Sequence, residues 1–230
     1  MPEIKERPIL FSAPMVRAIL SGQKTVTRRV VNVQPFDLSW SRRDHRFEYM
    51  AGRAINGDEL DGFYAYSTRH GGEWSARCPF GQPGDRLWVR EAWQADEQVN
   101  PVAPQELSHG EPIHYPADGA SKQTGCSMIT IGKTRPSIHM PRWACRILLE
   151  VTDVRVERLN AISDVQALAE GVQLYTDHAE LGNWYHVDGI ETYSAEPRKS
   201  FELLWSRING ADSWTANPWV WVVEFKRVTP

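Results

Sequence analysis

The chain has 230 residues, of which 41% are hydrophobic and 24% charged, with a formal net charge of -3. That length buries a real core as one domain with long insertions or as two small ones, and a slightly acidic chain does not coat nucleic acid non-specifically. No apolar run approaches the roughly 20 residues of a membrane-crossing helix.

From the N-terminus, "RPILFS" predicts a first strand, and "APMVRAILSG" a short helix with Met15, Ile19 and Leu20 inward, stopped by Gly22. Thr25 to Val31 suits a strand, rich as it is in Thr and Val. Alternation sets Thr25, Thr27 and Arg29 on one side, with Lys24 in the preceding turn, from which it can fold back over the strand. Six Lys or Arg residues lie between Lys24 and Arg46 against Asp37 and Asp44, concentrating positive charge in an acidic protein. Such a concentration serves either as a solvated loop or as a contact for a small anion or short nucleic acid.

From Gln34 to Pro83 the composition is mixed, and Asp85 to Glu91 reads as a central strand after turns at Gly81, Pro83 and Gly84. Gln94 to Pro136 lacks periodicity, which predicts an excursion from the core. "WACRILLEVTDVRVERL" predicts one long strand, or two with a bend at Asp153. "NAISDVQALAEGV" predicts a helix opened near Ser163 and stopped at Gly171, with Val165, Leu168 and Ala169 inward and Glu170 at its C-terminal end. A further helix is expected through "PRKSFELLWSRING", with Phe201, Leu204 and Ile208 inward. "NPWVWVVEFKRV" closes the chain as a strand apolar on both faces. Strands with few helices predict an α+β fold. Cys78, Cys126 and Cys145 are far apart and lack the spacing of a zinc site. Reduced thiols in a cytoplasmic protein, with no metal and no cofactor, are the expectation.

A Lys beside a hydroxyl residue and a carboxylate can form a hydrolytic site. Burial or a neighbouring Arg lowers the Lys pKa toward that of a base, a Thr hydroxyl attacks an acyl carbon or positions a water, and the carboxylate orients the Lys or shuttles a proton. Lys24, Thr27 and Glu170 are such a set, with Arg28 and Arg29 alongside.

"ILSGQKTVTRR", "GQPGDRLWVRE", "LAEG" and "VWVVEFKRV", in that order, resemble an ASCH domain, a member of the PUA-like superfamily, in a larger form of the kind encoded by bacteriophages and prophages. The resemblance implies a PUA-like mixed β-barrel with flanking helices. Residues 1–230 would then be a single domain, with insertions at 34–76, 94–143 and 176–196 as long inserted loops. Small bacterial ASCH proteins include amidohydrolases that deacetylate N4-acetylcytidine with a Lys, a Thr three positions later and a distant Glu. By that resemblance Thr27 is the nucleophile, Lys24 its activator and Glu170 the partner that holds the Lys. The paired Arg28 and Arg29 depart from the small enzymes, which carry an apolar residue before their Arg.

The same reading makes a modified cytosine nucleoside or nucleotide the substrate, with RNA or single-stranded nucleic acid as a further partner. Arg28, Arg29, Trp88, Arg90, Trp93, His139 and Arg142 are the candidate substrate contacts, with Arg29, Arg42 and Arg43 toward phosphate. Trp88 and Trp93 serve either as stacking faces or as core, and His139 either as a phosphate or proton-transfer group or as a loop residue. "GNWYHVDG" reads as a lid or an anchored crossover. Two other function classes use the same residues: a non-catalytic RNA, DNA or modified-base binding protein, and a phage accessory protein that binds a host protein through exposed aromatics.

Overall fold

A computed structural model describes residues 4–34, 42–54, 57, 59–68, 75–123, 125, 127–176, 180 and 182–229. In chain order these form β1 (Glu6–Leu10), α1 (Ala13–Leu20), β2 (Val26–Val30), β3 (His45–Arg53), β4 (Glu59–Ser67), β5 (Ser75–Arg77), β6 (Arg86–Arg90), β7 (Ile113–Tyr115), β8 (Ala120–Lys122), β9 (Leu148–Arg158), α2 (Asp164–Ala169), β10 (Gln173–Thr176), β11 (Trp184–His186), α3 (Pro197–Asn209) and β12 (Trp219–Val228). Mixed sheets with few helices are an α+β fold, and the described strands do not close into a barrel. The chain falls into two compact units, one of residues 1–23, 86–150 and 226–230, the other of residues 24–85 and 151–225.

In the first unit β1 runs parallel to β6, Glu6 opposite Arg86 through Leu10 opposite Arg90. β6 pairs antiparallel with the first residues of β9. The "RLWVR" alternation explains why this strand forms here: Leu87 and Val89 are buried, while Arg86, Trp88 and Arg90 on the other face are half-buried. α1 buries Val16, Ala18 and Ile19. Ile19 is inward as expected, but Met15 and Leu20 are only half-buried, because Val16 and Ala18 take the inward positions beside it.

The stretch 94–143, expected as an insertion that leaves the core, supplies most of a core of its own. Trp93, Ala95, Leu107, Ile113, Tyr115, Met140 and Ala144 pack together beside the β7–β8 hairpin. Polar residues hold its loops in place of regular ladders. The Asp96 carboxylate accepts the backbone N–H groups of Gln98, Ile129 and Thr130. Gly132 passes so close to this turn that a Cβ there would lie 2.8 Å from the Ala95 carbonyl oxygen and 2.6 Å from Asn100 Oδ1, so only glycine fits.

The second unit contains the rest of β9, most of β12, and β2, in that order across the sheet. β9 is one uninterrupted strand through Asp153. Trp219 to Val223 are all buried, which accounts for the apolar run on both faces of β12. β2 pairs antiparallel with it, Thr27 opposite Val223 and Arg28 opposite Val222. β3, β4 and β5 form an antiparallel meander, and Phe47 of β3 stacks on Phe63 and touches Trp221. α2 packs against α3. α3 buries Phe201, Leu204 and Trp205, but Ile208, expected inward, is 54% exposed because it lies in the helix's last turn. In the six-residue α2 the buried residue is Ala167. Val165, expected inward, is exposed in the first turn.

Candidate functional site

The site is assembled at the C-terminal end of α2. Ser163 and Gln166 make a reciprocal capping box that starts this helix. Its other end is a Schellman motif, with Val172 N–H donating to the Ala167 carbonyl and Gly171 N–H to that of Leu168. Gly171 has φ 107, a left-handed conformation that a residue with a Cβ resists. Two terminal carbonyls are left, those of Ala169 and Glu170, and both are satisfied from the start of β2. Thr25 N–H donates to Ala169 O at 2.9 Å, and Lys24 Nζ donates to Glu170 O at 2.8 Å. A cation at a helix C-terminus also answers the negative end of the helix dipole.

Lys24 does more than cap. Its Nζ donates to the Val26 carbonyl at 2.8 Å and to Glu170 Oε2 at 2.6 Å. With the Glu170 carbonyl, three acceptors surround a group that carries three protons when charged. The side chain is 0% exposed, and that of Glu170 is 3% exposed. Burial pushes the Lys24 ammonium below the ordinary lysine value, and the Glu170 carboxylate opposes that shift. Three acceptors in contact with Nζ make the ammonium the form that this geometry holds.

Arg28 completes the cluster from β2. Its Nη1 donates to Glu170 Oε1 at 3.1 Å, and its Nη2 lies 3.5 Å from Glu157 Oε2. Glu157 in turn accepts from Arg155 Nε, whose Nη1 reaches Asp153 and Glu224. A chain of alternating charges thus runs from a buried end at Lys24 to exposed carboxylates at Asp153 and Glu224. Arg28, expected to touch substrate, is instead fully buried in these ion pairs, because β2 turns its side chain toward Glu170 and Glu157. Thr27 is buried as well. Alternation gives it the face of Val223, shared with Arg29 and Trp221 and opposite to that of Arg28. Arg29 is half-buried, its pKa lowered by burial, with Glu170 acting the other way.

No family model, curated protein sequence or solved structure matches this chain. The likeness to ASCH domains therefore rests on the quoted motifs alone.

The candidates Trp88, Arg90, Trp93, His139 and Arg142 belong to the first unit. Trp93 is 0% exposed in the core, with the Arg135 guanidinium 5.3 Å from its ring centroid. It is a packing residue, not an open stacking face. Trp88 is half-buried beneath Arg90, whose carbon Cζ lies 5.2 Å from the ring centroid and whose Nη2 donates to the Ile138 carbonyl. His139 is exposed in a single 3-10 turn, and Arg142 pairs with Glu6 at 2.8 Å. Of the expected phosphate contacts, Arg43 is exposed, and the side chain of Arg42 lies outside the described residues. Among the described residues no cluster of three or more His, Cys, Asp and Glu can hold a metal, and no helix is long and apolar enough to cross a membrane.

Sequence reasoning missed a second buried ion pair in this unit. Arg146 binds both oxygens of Glu91 at 2.8 Å and reaches Asp118 at 2.9 Å. Its guanidinium also lies 4.0 Å from the Tyr115 ring centroid. Burial pushes the Glu91 carboxyl up, and Arg146 works against that shift. Every charge there has its partner, which describes a fixed strut rather than a reactive group. Glu91 was visible in the sequence as the end of the predicted strand, and it follows β6 directly, but Arg146, which completes the pair, carried no motif.

Proposed function

We propose that the chain is an ASCH-type, PUA-like amidohydrolase that removes the acyl group from N4-acetylcytidine or a related N4-acyl cytosine nucleoside or nucleotide. The observation that carries this reading is the buried contact of Lys24 with Glu170 at 2.6 Å, across 146 residues of sequence. The resemblance requires those two residues to meet, and the sequence does not make them neighbours. Lys24 is bonded to the carbonyl of Val26, the residue before Thr27. In the proposed reaction Lys24 first gives one ammonium proton to the Glu170 carboxylate, and the Thr27 hydroxyl then attacks the acyl carbon as the neutral Lys24 takes its proton. The carbon–nitrogen bond breaks, the cytosine amine leaves with a proton, and water then releases the acid from threonine. To act, Lys24 must exchange one of its three contacts for the Thr27 hydroxyl. Burial favours the proton loss this needs, and Glu170 holds the lysine in register.

Chromatography of N4-acetylcytidine incubated with the wild type, Lys24→Ala and Thr27→Val tests the reading. The wild type is expected to release cytidine and acetate, and each variant to lose about 10²-fold or more of that rate. No release from nucleoside, deoxynucleoside or oligonucleotide forms overturns it.

A second reading, a non-catalytic RNA, DNA or modified-base binding protein, is favoured by one specific observation. The three contacts of Lys24 already give it a complete structural role at the end of α2. Retention of an N4-acetylcytidine oligonucleotide without turnover distinguishes it.

A further inference from the structure

The β10–β11 hairpin and the segment after it take no part in the cluster around Lys24, yet they carry large exposed side chains. Leu174 is 47% exposed, Tyr175 59%, Tyr193 42% and Trp184, in β11, 39%. Three rings form a contiguous but not coplanar platform, Tyr175 and His186 meeting edge to face and the other two pairs tilted. Tyr175 lies 4.4 Å from Tyr193 and 5.5 Å from His186, and His186 lies 5.5 Å from Tyr193, centroid to centroid. A register shift between Leu174 and Thr176 leaves Tyr175 as the extra residue of a bulge. Bulges re-aim side chains and recur at binding sites. An aromatic platform of this kind on the surface marks a place where something docks.

Charge decides what docks there. Residues 173–196 contain Asp177, Glu180, Asp188, Glu191 and Glu196 and no Lys or Arg. Glu180, Glu191 and Glu196 are exposed. Cations from the neighbouring α3 are already engaged: Arg207 donates to the Gly189 carbonyl, Lys199 pairs with Glu202, and Arg198 donates to the Asn160 carbonyl with its Cζ 5.8 Å from the Trp214 ring centroid. Aromatic faces attract cations through their quadrupole, and the exposed carboxylates of the same segment add to that attraction while repelling phosphate.

We propose that this hairpin is a docking surface for an arginine- and lysine-rich segment of a partner protein, independent of the hydrolytic reading above. The rings stack under guanidinium and ammonium groups, and Glu180, Glu191 and Glu196 neutralise the rest of the segment. Nucleic acid, which also stacks on aromatics, is repelled by the same carboxylates.

Fluorescence anisotropy on the full chain tests it with three labelled probes: an arginine–glycine repeat peptide, its glutamate–glycine counterpart, and oligouridine. Only the basic peptide is expected to bind. Tyr175→Ala with Trp184→Ala, and separately Glu180→Gln with Glu191→Gln and Glu196→Gln, are each expected to weaken it about tenfold. The charge variant leaves the rings in place and carries the test should the aromatic variant not fold. The proposal is overturned if the basic peptide does not bind, if a folded variant of either set leaves its affinity unchanged, or if oligouridine binds in a manner the aromatic variant abolishes.

Discussion

Lys24 and Glu170 hold each other inside the protein, so removing one strands the other. Lys24→Met keeps the length of the side chain but leaves the buried Glu170 carboxylate without its closest cation, and two carbonyl oxygens without the Lys24 donor. A loss of about 3 to 5 kcal/mol follows, and urea unfolding of the variant beside the wild type measures it. Asp96 shows the same logic through backbone rather than charge. The N–H groups of Gln98 and Ile129 hold its carboxyl below the usual aspartate range. A carboxyl whose pKa is lower folded than unfolded contributes stability that is fully present above the unfolded value, about 3.9. That contribution is lost as pH falls through the folded value. The melting temperature of the wild type is therefore expected to fall below about pH 4 more steeply than that of Asp96→Asn. An equal slope in both proteins would assign the acid sensitivity elsewhere.

At the scale of elements, the end of α2 sets the position of the site. Gly171→Ala forces a Cβ into a left-handed turn, which costs about 1 to 2 kcal/mol, and it displaces the carbonyl to which Lys24 is bonded. The variant is expected to lose hydrolytic rate beyond what its stability loss explains, measured as turnover on N4-acetylcytidine at a temperature where circular dichroism shows it folded. This helix was legible in the sequence because its signals are local: Ser163 at the start and Gly171 at the stop. The strands β6, β9 and β12 were legible from their apolar pattern. Val165 and Ile208 were not, since a six-residue helix and the last turn of a longer one do not bury a full stripe. Arg28 was legible as a charged residue of β2 but not as a partner of Glu170 and Glu157, because that pairing depends on how β9, β12 and α2 come together around it. Its place opposite Thr27 in the strand alternation was the available clue.

For the molecule as a whole, the hidden feature was the core around Trp93, Ile113, Tyr115 and Met140. Its members lie in turns and very short strands, so no period announces them. Their packing is enforced by Asp96 and Gly132, residues that composition counts as loop formers. Cysteines report on each unit by itself: Cys145 is buried in the first and Cys78 in the second. Burial pushes the Cys145 thiol up, and its Sγ donates to the Ile147 carbonyl. With Cys126→Ser, both remaining thiols are expected to resist a thiol reagent in native buffer and to react as urea opens the unit that holds each. Rapid native labelling of either would show that its unit opens at low cost. The Lys24 ammonium, finally, is built into the end of a helix, where its loss would be felt with or without chemistry. The same lysine in another chain would therefore report an intact helix end, whatever chemistry that chain performs.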